Sequence, residues 1–546
     1  YGDGGSGCTE EMLEMIRRFD KVSVMPKIEV TGGDAFLHKN LKDNTNLATW
    51  DGELYLEMHR GTFTTKSNLK KANRTLEFKL RETELRAALA SLTGTSYPSE
   101  ELTECYKKFL LNQFHDILPG SHIHPVYEDA MNDYRSVSER LDAMLALTAG
   151  NEYFNSLNFT RSSITFIEDE NGAITRHGVK GFWSIPTLAG LSTGTVAALP
   201  SKENWLSTEF CDKCDCLVVE TPYYRAKLSS DGSFVSLYDK ELDREWVKEG
   251  CGFNKLHLYA DNPGVYDAWD ILPNYKDVQV ALNVDKPLAL VSSDGSSAEF
   301  AVTFTTEKST WKMILRFFAD SRAIEVENVV DWDEKHKLVK VNFGPDVLTR
   351  ELVCDTSAGF VKRDLTKNTS WQQARFEVCH HKWCDMSESG SGIAIINEGK
   401  YGVGLEKDEI SLSLLRATIR PDITSDIGHH DFCYTILPHS GDAVEAQVNK
   451  TAMEYNVPLC KSNVTVPAAL RDTLNNCGLY LQAMKRSEDG QYLILRLSEQ
   501  DGRRGKIAFP FEVQTMNLIE DIEGSTKVVS YHPFELITVA VKPEDL

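Results

Sequence analysis

The pattern of apolar residues in the first third of the chain is helical. Between Lys66 and Leu92, six mostly apolar residues lie three or four positions apart and so share one face of a helix: Leu69, Ala72, Leu76, Leu80, Thr83 and Ala87. Gly94 follows and is expected to end the helix. The spacing therefore predicts one long amphipathic helix that packs this face against a core.

Two further helices are predicted before residue 151. The second runs from about Ser99, which is a good N-cap residue, to Leu118, and the third runs from near Ser121 to Ala149. The apolar stripe of the third helix consists of Tyr127, Ala130, Met131, Tyr134, Val137, Leu141 and Leu145. Because the connections are short, the three helices are expected to form an antiparallel bundle over residues 51–150.

The segments on either side of the predicted bundle have different patterns. Before it, residues 1–50 combine a short amphipathic helix, Glu10 to Phe19, with a strand-like run from Lys21 to Val30, which is typical of the last units of a β/α barrel. Over residues 151–546, short alternating runs are separated by Asp-Gly and Ser-Gly turns. The predicted fold is therefore multidomain: the end of an α/β barrel that forms a catalytic domain, a three-helix bundle, and a large all-β C-terminal region of β-sandwiches.

Charge and cysteine usage narrow the classes of function. The formal net charge of −22 argues against nucleic acid and anionic membranes as partners, and no apolar run approaches the roughly 18 residues that would span a bilayer. Cys211, Cys214 and Cys216 form a cluster that could hold a metal ion. Because no second ligand pair stands at zinc-finger spacing from it, we interpret the cluster as a loop of free thiols.

The candidate chemistry is concentrated in residues 112–121, which read Asn-Gln-Phe-His-Asp-Ile-Leu-Pro-Gly-Ser. His115 is a potential metal ligand, and Asp116 beside it could hydrogen-bond a polar substrate, with its side chain pointing in a different direction. The alternative interpretation is an ordinary helix end, with His115 near the negative end of the helix dipole and Pro119-Gly120 terminating the helix.

The string at 112–121 resembles the core motif of the family 38 glycoside hydrolases, the retaining α-mannosidases. Five other strings resemble landmarks of that family in the same order: Trp50 to Thr65, Asp267 to Asp270, Asn368 to Trp371, Ala374 to Val378 and Leu412 to Ala417. The resemblance is closest to the cytosolic and vacuolar branch. It implies that His115 is a ligand of one divalent metal, zinc or alternatively cobalt, and that Asp116 contacts the sugar.

The beginning of the chain, Tyr1 to Thr9, resembles the family's Gly-Asp-Gly-Gly-Gly-Gly-Pro-Thr loop, with Ser6 and Cys8 as departures. The resemblance suggests Asp3 as the general acid or as a nearby sugar-binding carboxylate; an Asp-Gly turn residue is the alternative. In the family, the other metal ligands and the nucleophilic aspartate lie upstream of this loop. We therefore expect the chain to be a fragment that is inactive alone.

The implied function is the retaining hydrolysis of terminal α-linked mannose from high-mannose or free oligosaccharides. The resemblance implies a cytoplasmic protein, with the vacuole or lysosome as the alternative, and the sequence leaves a homo-oligomer open. A non-catalytic carbohydrate-binding or structural polypeptide is the competing hypothesis. A zinc-dependent hydrolase of another class would fit the His-Asp pair but not the other strings.

Trp269 could stack on a sugar or pack between domains, and His429 and His430 are expected to be surface or loop histidines.

Overall fold

The computed structural model describes residues 7–42, 44 and 46–546. The chain divides into two compact units, Tyr1–Tyr55 and Leu56–Leu546. Asp3, the predicted catalytic residue, lies outside the described residues. No helix within the described ranges is both long enough and apolar enough to cross a membrane.

The first unit contains two largely exposed helices, α1 (Glu10–Phe19) and α2 (Gly33–Leu41). Helix α1 has the predicted bounds, and the Thr9 hydroxyl caps it by accepting a hydrogen bond from the Met12 N–H at 3.2 Å. The strand predicted at 21–30 is wrong: this run forms turns and coil. A strand is held by hydrogen bonds to a neighbouring strand, and no described strand pairs with this run.

After a short 3-10 helix, Arg60–Phe63, the second unit continues with three α-helices that share one core. They are α3 (Ser67–Ser91), α4 (Ser99–Leu111) and α5 (His124–Ala146). Their common cluster of buried side chains consists of Leu69, Leu76, Leu80, Leu102, Cys105, Phe109, Ala130, Tyr134, Val137 and Leu141. The predicted stripes of the first and third helices therefore face this core, whereas α4 ends seven residues before the predicted Leu118.

The remainder of the chain is mainly β-structure. Its first strands are β1 Glu152–Asn155, β2 Thr165–Glu168, β3 Ile174–Arg176, β4 Val179–Ser184, β5 Ser192–Gly194, β6 Ser207–Cys211, β7 Cys216–Glu220, β8 Tyr224–Leu228, β9 Phe234–Asp239, β10 Arg244–Glu245, β11 Phe253–Ala260, β12 Gln279–Val280, β13 Asn283–Ser293, β14 Ser297–Thr305, β15 Thr310–Phe318 and β16 Ile324–Trp332.

The later strands and helices complete the chain. The strands are β17 Lys337–Phe343, β18 Glu351–Thr356, β19 Gly359–Asp364, β20 Glu377–Cys379, β21 Trp383–Glu388, β22 Ser391–Asn397, β23 Gly402–Glu406, β24 Glu409–Ala417, β25 Gly428–Ser440, β26 Cys460–Ser462, β27 Tyr480–Arg486, β28 Leu493–Ser498, β29 Gly505–Met516, β30 Ile522–Tyr531 and β31 Leu536–Val541. The helices are α6 Ser370–Ala374, α7 Val448–Asn456 and α8 Ala468–Leu474.

Two large antiparallel sheets form the centre of the β region. One has nine strands in the order β13-β14-β15-β16-β25-β22-β21-β18-β19, and the other has six in the order β12-β11-β17-β24-β23-β20. They face one another through Phe343 of β17 and Tyr434 of β25, whose rings are 5.8 Å apart, and the Tyr434 hydroxyl donates to Asn254 Oδ1 at 2.6 Å. The prediction of a multidomain α and β protein with packed C-terminal sheets is confirmed at this level.

A third sheet connects the helices to the end of the chain. It has five strands in the order β27-β28-β31-β29-β30. The C-terminal half of α3 contributes Leu85, Ala88 and Leu89 to the apolar core of this sheet. Helix α3 therefore packs against the other helices along one part and against the C-terminal sheet along another.

Candidate functional site

Residues 112–120 form consecutive turns rather than the end of a helix. The Ile117 N–H donates to the Phe114 carbonyl at 2.9 Å, and the Gly120 N–H donates to the Ile117 carbonyl at 2.9 Å. Gly120 has a φ of 84°, and a Cβ at this position would lie 2.6 Å from the Thr65 carbonyl oxygen. A glycine is therefore required both by the left-handed backbone and by the close approach of a second chain segment.

Buried Lys70 on α3 holds these turns in place. Its ammonium donates to the carbonyls of Leu118 at 2.9 Å and Pro119 at 3.2 Å, and also to the carbonyl of Thr65. Burial lowers the pKa of Lys70 to about 7. These bonds fix the end of the run of turns against α3, and the ring of Pro119 disfavours a helical conformation of Leu118, the last residue of the predicted helix.

His115 and Asp116 lie on the exposed side of the turns. The His115 side chain is 78% exposed and its Nε2 lies 3.5 Å from Asp116 Oδ2. The Ser121 hydroxyl donates to the other carboxylate oxygen, Asp116 Oδ1, at 2.7 Å. The expectation that the two side chains point in different directions is therefore wrong. The turn at Ser121 folds the carboxylate back toward the imidazole, so the pair presents an aromatic nitrogen and an oxygen acceptor together.

The alternative interpretation of this string as an ordinary helix end does not describe the structure. Helix α4 ends at Leu111, four residues before His115. The ring of His115 instead packs against that of Phe114, with centroids 4.3 Å apart. Phe114 is itself 55% exposed. The imidazole is thus held at the surface by a neighbouring ring and a carboxylate.

A metal site needs more donors than this pair supplies. Catalytic zinc sites use at least three protein ligands. Among the described residues, the groups of three potential ligands within 4.8 Å of one another are Cys211–Cys214–Cys216 and His177–Glu398–Cys433, and neither includes His115. The imidazole and the carboxylate fit the chemistry of a divalent metal as part of a donor set only.

Strings that lie far apart in the sequence meet beside these turns. The Gly61 N–H donates to the Trp269 carbonyl at 2.8 Å, and the Thr65 hydroxyl donates to the Ala268 carbonyl at 3.0 Å. Buried Arg416 donates to the Asp270 carbonyl at 2.5 Å and to the Thr65 hydroxyl at 3.1 Å. Gly61 and Thr65 of the first string therefore share one corner of the second unit with the strings at 267–270 and 412–417.

A buried ion pair fixes the same corner to the β region. Lys66 is 2% exposed and pairs with Asp422, and its ammonium lies 4.5 Å from the centre of the Tyr127 ring. Burial raises the pKa of Asp422, but hydrogen bonds from Lys66 and Thr424 outweigh it and hold that pKa well below its usual range. Sequence reasoning missed this pair because Lys66 and Asp422 are distant in the chain and belong to no recognisable spacing.

The start of α3 is capped from the same segment. Asp426 accepts the backbone N–H of Lys66 and that of Ser67, both at 2.7 Å. Helix N-termini have unpaired N–H groups and a positive dipole end, which a carboxylate satisfies. His124, the first residue of α5, lies 3.1 Å from Asp422 through its Nδ1. One short β-region segment therefore orients two of the helices that flank the candidate site.

The remaining residues singled out in the sequence are more dispersed. Trp269 is half-buried, and its ring meets the exposed ring of Tyr266 edge-on at 5.9 Å. His429 is exposed and pairs with Asp331, whereas His430 is buried and lies 2.7 Å from the Asp426 carbonyl. The prediction of surface or loop histidines is confirmed for His429, which is exposed, and is wrong for His430, which is buried within strand β25.

The cysteine cluster also departs from its prediction. The structure places a disulfide between Cys214 and Cys216, while Cys211 is a free thiol. The interpretation of all three as free thiols is therefore wrong for two of them. Close spacing along the chain brings the two sulfurs together where the hairpin turns.

Three family models match the chain. Residues 57–150 match the α-mannosidase middle domain, residues 219–424 match the glycosyl hydrolases family 38 C-terminal domain, and residues 478–539 match the family 38 C-terminal beta sandwich domain. The middle-domain match contains His115 and Asp116. The matched segments include α3, α4, α5, most of the two central sheets and most of the last sheet.

Curated relatives and a solved structure agree with these matches. Alpha-mannosidase 2C1 of Homo sapiens is 30% identical over 92% of this chain and 50% of its own length, and the alpha-mannosidase of Saccharomyces cerevisiae is 31% identical over 83% of this chain and 42% of its own. The crystal structure of an alpha-mannosidase from Enterococcus faecalis has the same fold, with a TM-score of 0.74 over 98% of this chain and 74% of that one at 13% identity. The chain spans about half the length of the curated relatives it matches.

Proposed function

The chain belongs to glycoside hydrolase family 38, and from this membership we propose that it forms part of an α-mannosidase. The proposed reaction is the hydrolysis of terminal α-linked mannose from high-mannose or free oligosaccharides with retention of configuration. The names of the relatives support the choice of reaction. The proposed activity is that of the protein that contains this chain.

The geometry around Asp116 is the observation that supports this proposal most directly. One of its carboxylate oxygens accepts the Ser121 hydroxyl at 2.7 Å, which fixes the rotation of the side chain. The other oxygen faces the imidazole of His115 at an exposed turn. A carboxylate that is fixed and accessible suits hydrogen bonding to sugar hydroxyls, and such a charge-assisted bond strengthens as the ring approaches its transition state.

His115 is proposed as one ligand of a divalent metal, zinc or alternatively cobalt. Its exposed imidazole is a donor that such a metal accepts, and the carboxylate of Asp116 beside it is left to contact the sugar. When bound, the metal would grip neighbouring sugar hydroxyls and help distort the ring toward the oxocarbenium-like transition state. The remaining ligands and the nucleophile are expected from the part of the relatives that this chain does not match. Asp3 stays a prediction for the general acid.

Lys70 is proposed as a positioning residue for this pair. Its hydrogen bonds to the carbonyls of Leu118 and Pro119 set the path of the chain immediately after Asp116. Lys70 does not contact the proposed substrate position through its ammonium, which is buried under the turn. It acts on the reaction only through the placement of the turn.

The finer assignments form part of the same proposal. We divide the chain into the C-terminal part of a catalytic barrel over 1–50, a three-helix domain over 51–150 and a β-sandwich region over 151–546. The protein is proposed to act in the cytoplasm, with the vacuole or lysosome as the alternative, and homo-oligomerisation is left open.

The test compares two exposed histidines that each pair with an aspartate. In the enzyme that carries this chain, His115→Ala should lose both the bound metal, measured by mass spectrometry, and the hydrolysis of an aryl α-mannoside. His429→Ala is the matched control, because His429 is also exposed and its Nδ1 lies 2.9 Å from Asp331. The configuration of the first sugar released, followed by NMR, tests retention.

Each outcome of this comparison decides between hypotheses. Metal occupancy that survives in His115→Ala would show that this histidine is not a ligand. Equal losses in His115→Ala and His429→Ala would indicate a general effect on folding. An unmodified protein that binds mannosides without hydrolysing them would favour the non-catalytic carbohydrate-binding hypothesis.

A further inference from the structure

The hairpin between β6 and β7 carries three cysteines at its closed end. Cys211 is the last residue of β6 and Cys216 is the first of β7, and the two are paired across the hairpin. The Cys214 N–H donates to the Cys211 carbonyl at 3.3 Å, and Asp215 adopts a φ of 48°. This tight turn directs all three side chains toward one another, so their sulfur atoms lie within 4.8 Å of one another.

The three sulfurs span the range from solvent to core. Cys214 is exposed, Cys211 is half-buried and Cys216 is only 1% exposed. Strand β6 is an edge strand of the five-stranded sheet β10-β9-β8-β7-β6, and its residues are mostly exposed. Reagents in solution therefore reach the cluster through Cys214, while Cys216 anchors it to the sheet.

We propose that the reduced hairpin is a binding site for one thiophilic metal ion of the zinc class, and that the Cys214–Cys216 disulfide closes this site. Three thiolates are a sufficient set of protein ligands for zinc, with water in the fourth position. Asp212 and Asp215 flank the cysteines and outweigh the single charge of Lys213, which favours a cation. The site is separate from the mannosidase chemistry and does not depend on it.

The site closes by thiol–disulfide exchange, a two-electron oxidation of the protein. A small disulfide such as oxidised glutathione is attacked by the exposed Cys214 thiolate, which forms a mixed disulfide and releases one glutathione thiolate. The Cys216 thiolate then attacks Cys214 Sγ, forms the intramolecular disulfide and releases the second glutathione. The protein loses two electrons and two thiol hydrogens, and oxidised glutathione becomes two glutathione molecules. The Cα atoms of Cys214 and Cys216 are 5.4 Å apart, within the ordinary range for a disulfide.

Closure removes the ligands as well as changing the redox state. Sulfur atoms in a disulfide carry no thiolate charge and do not serve as zinc ligands. Cys211 alone remains free, and one thiolate does not hold zinc. Metal occupancy of the hairpin should therefore follow the thiol–disulfide balance of the surroundings, and bound metal should in turn protect Cys214 from oxidation.

The experiment uses the whole chain with Cys8→Ser, because Cys8 is a second exposed thiol. The chain is reduced with a phosphine, freed of the reductant and titrated with Cd²⁺, whose binding to thiolates is followed by its ultraviolet charge-transfer band. We expect one Cd²⁺ for each chain in the reduced form. Cys214→Ser should weaken binding by more than about tenfold, since even the loss of an outer partner of a metal ligand has this effect.

Oxidation supplies the second arm of the test. After treatment with oxidised glutathione, we expect the mass to fall by two hydrogen atoms, a peptide map to join Cys214 to Cys216, and the Cd²⁺ band to disappear. Cys251→Ser is the matched control, because Cys251 is another half-buried free thiol outside the cluster; it should bind Cd²⁺ as the reduced parent does. His115→Ala should also leave this binding unchanged, which separates it from the proposed catalytic metal.

The proposal would be overturned by either of two results. Equal binding of Cd²⁺ by reduced chains with and without Cys214→Ser would place the metal elsewhere. Cd²⁺ that stays bound to the oxidised chain would show that the disulfide does not close the site. Because Cys214 is exposed, its replacement should leave the melting transition in place, so that a loss of binding is not a loss of folding.

Discussion

The buried contact between Arg416 and Asp261 offers a quantitative test of how the corner beside the candidate site is held together. Arg416 on β24 is fully buried, and Asp261 is 2% exposed. The guanidinium donates to Asp261 Oδ2 from Nε at 2.8 Å and from Nη2 at 2.5 Å. It also donates to the Asp270 carbonyl and the Thr65 hydroxyl. We expect Arg416→Met to leave the Asp261 carboxylate charged in a place that water does not reach.

The magnitude follows from the cost of that isolated charge. Removing one partner of a buried ion pair typically costs about 3–5 kcal/mol, because the remaining charge is uncompensated. Methionine fills most of the space of the arginine stem, so a cavity should add little. In the double variant Arg416→Met with Asp261→Asn the charge is absent. We therefore expect the double variant to be more stable than Arg416→Met alone by at least about 2 kcal/mol, a non-additivity typical of residues in direct contact.

Urea unfolding followed by tryptophan fluorescence measures both quantities. The midpoint of the transition that includes α3 should fall in Arg416→Met while its slope stays constant, because the surface exposed on unfolding is unchanged. Asp261→Asn alone completes the cycle. A loss below about 1 kcal/mol in Arg416→Met, or a double variant no more stable than the single one, would refute the reasoning that charge burial dominates this corner.

Two further predictions concern the candidate site and the pH dependence of stability. Asp116→Asn should keep the metal and the melting temperature but lower kcat/KM about ten- to a hundredfold, since a charge-assisted hydrogen bond to the sugar is worth roughly 1.5–3 kcal/mol. Steady-state kinetics measure kcat/KM and calorimetry measures the melting temperature. A collapsed melting transition would instead indicate a structural role for Asp116. Burial lowers the pKa of Lys400 from 10.5 to about 7. Between pH 7 and pH 10.5 the amine is therefore protonated more fully in the unfolded chain than in the folded chain. Its contribution to the free energy of unfolding consequently rises with pH over this range. From pH 7 to pH 9 the parent should gain about 2 kcal/mol relative to Lys400→Met in urea titrations, and parallel pH profiles would contradict the shift.

Much of the helical part of the fold can be predicted from the sequence because its signals are local. The apolar stripe of α3 and that of α5 mark the faces that meet in the common core, and α1 has both its cap residue and its amphipathic spacing within a short window. The strand predicted at 21–30 failed for the opposite reason. A strand also needs a neighbouring strand for its hydrogen bonds, and the residues of one segment do not identify that neighbour.

The sequence identifies the residues of the candidate site but does not predict how their side chains are arranged. The string at 112–121 identifies His115 and Asp116, and Gly120 marks the turn through its required backbone conformation. The convergence of the two side chains depends on Ser121, and the position of the turns depends on Lys70, which lies in α3. Local rules favour a longer α4, whereas residues 112–120 form turns whose position depends on contacts from elsewhere in the chain.

The geometry of the candidate site is inherited from the β region through a short series of contacts. Asp426 caps the start of α3, and α3 carries Lys70, which binds the carbonyls that follow Asp116. Arg416 ties the segment containing Thr65 to the loop at 267–270. Buried charged groups take part in each of these contacts, and a buried charge is costly when its partner is lost. Strings that lie far apart in the sequence therefore bear on one turn: Asp426 fixes the start of α3, and Lys70 of α3 fixes the turns that carry the imidazole.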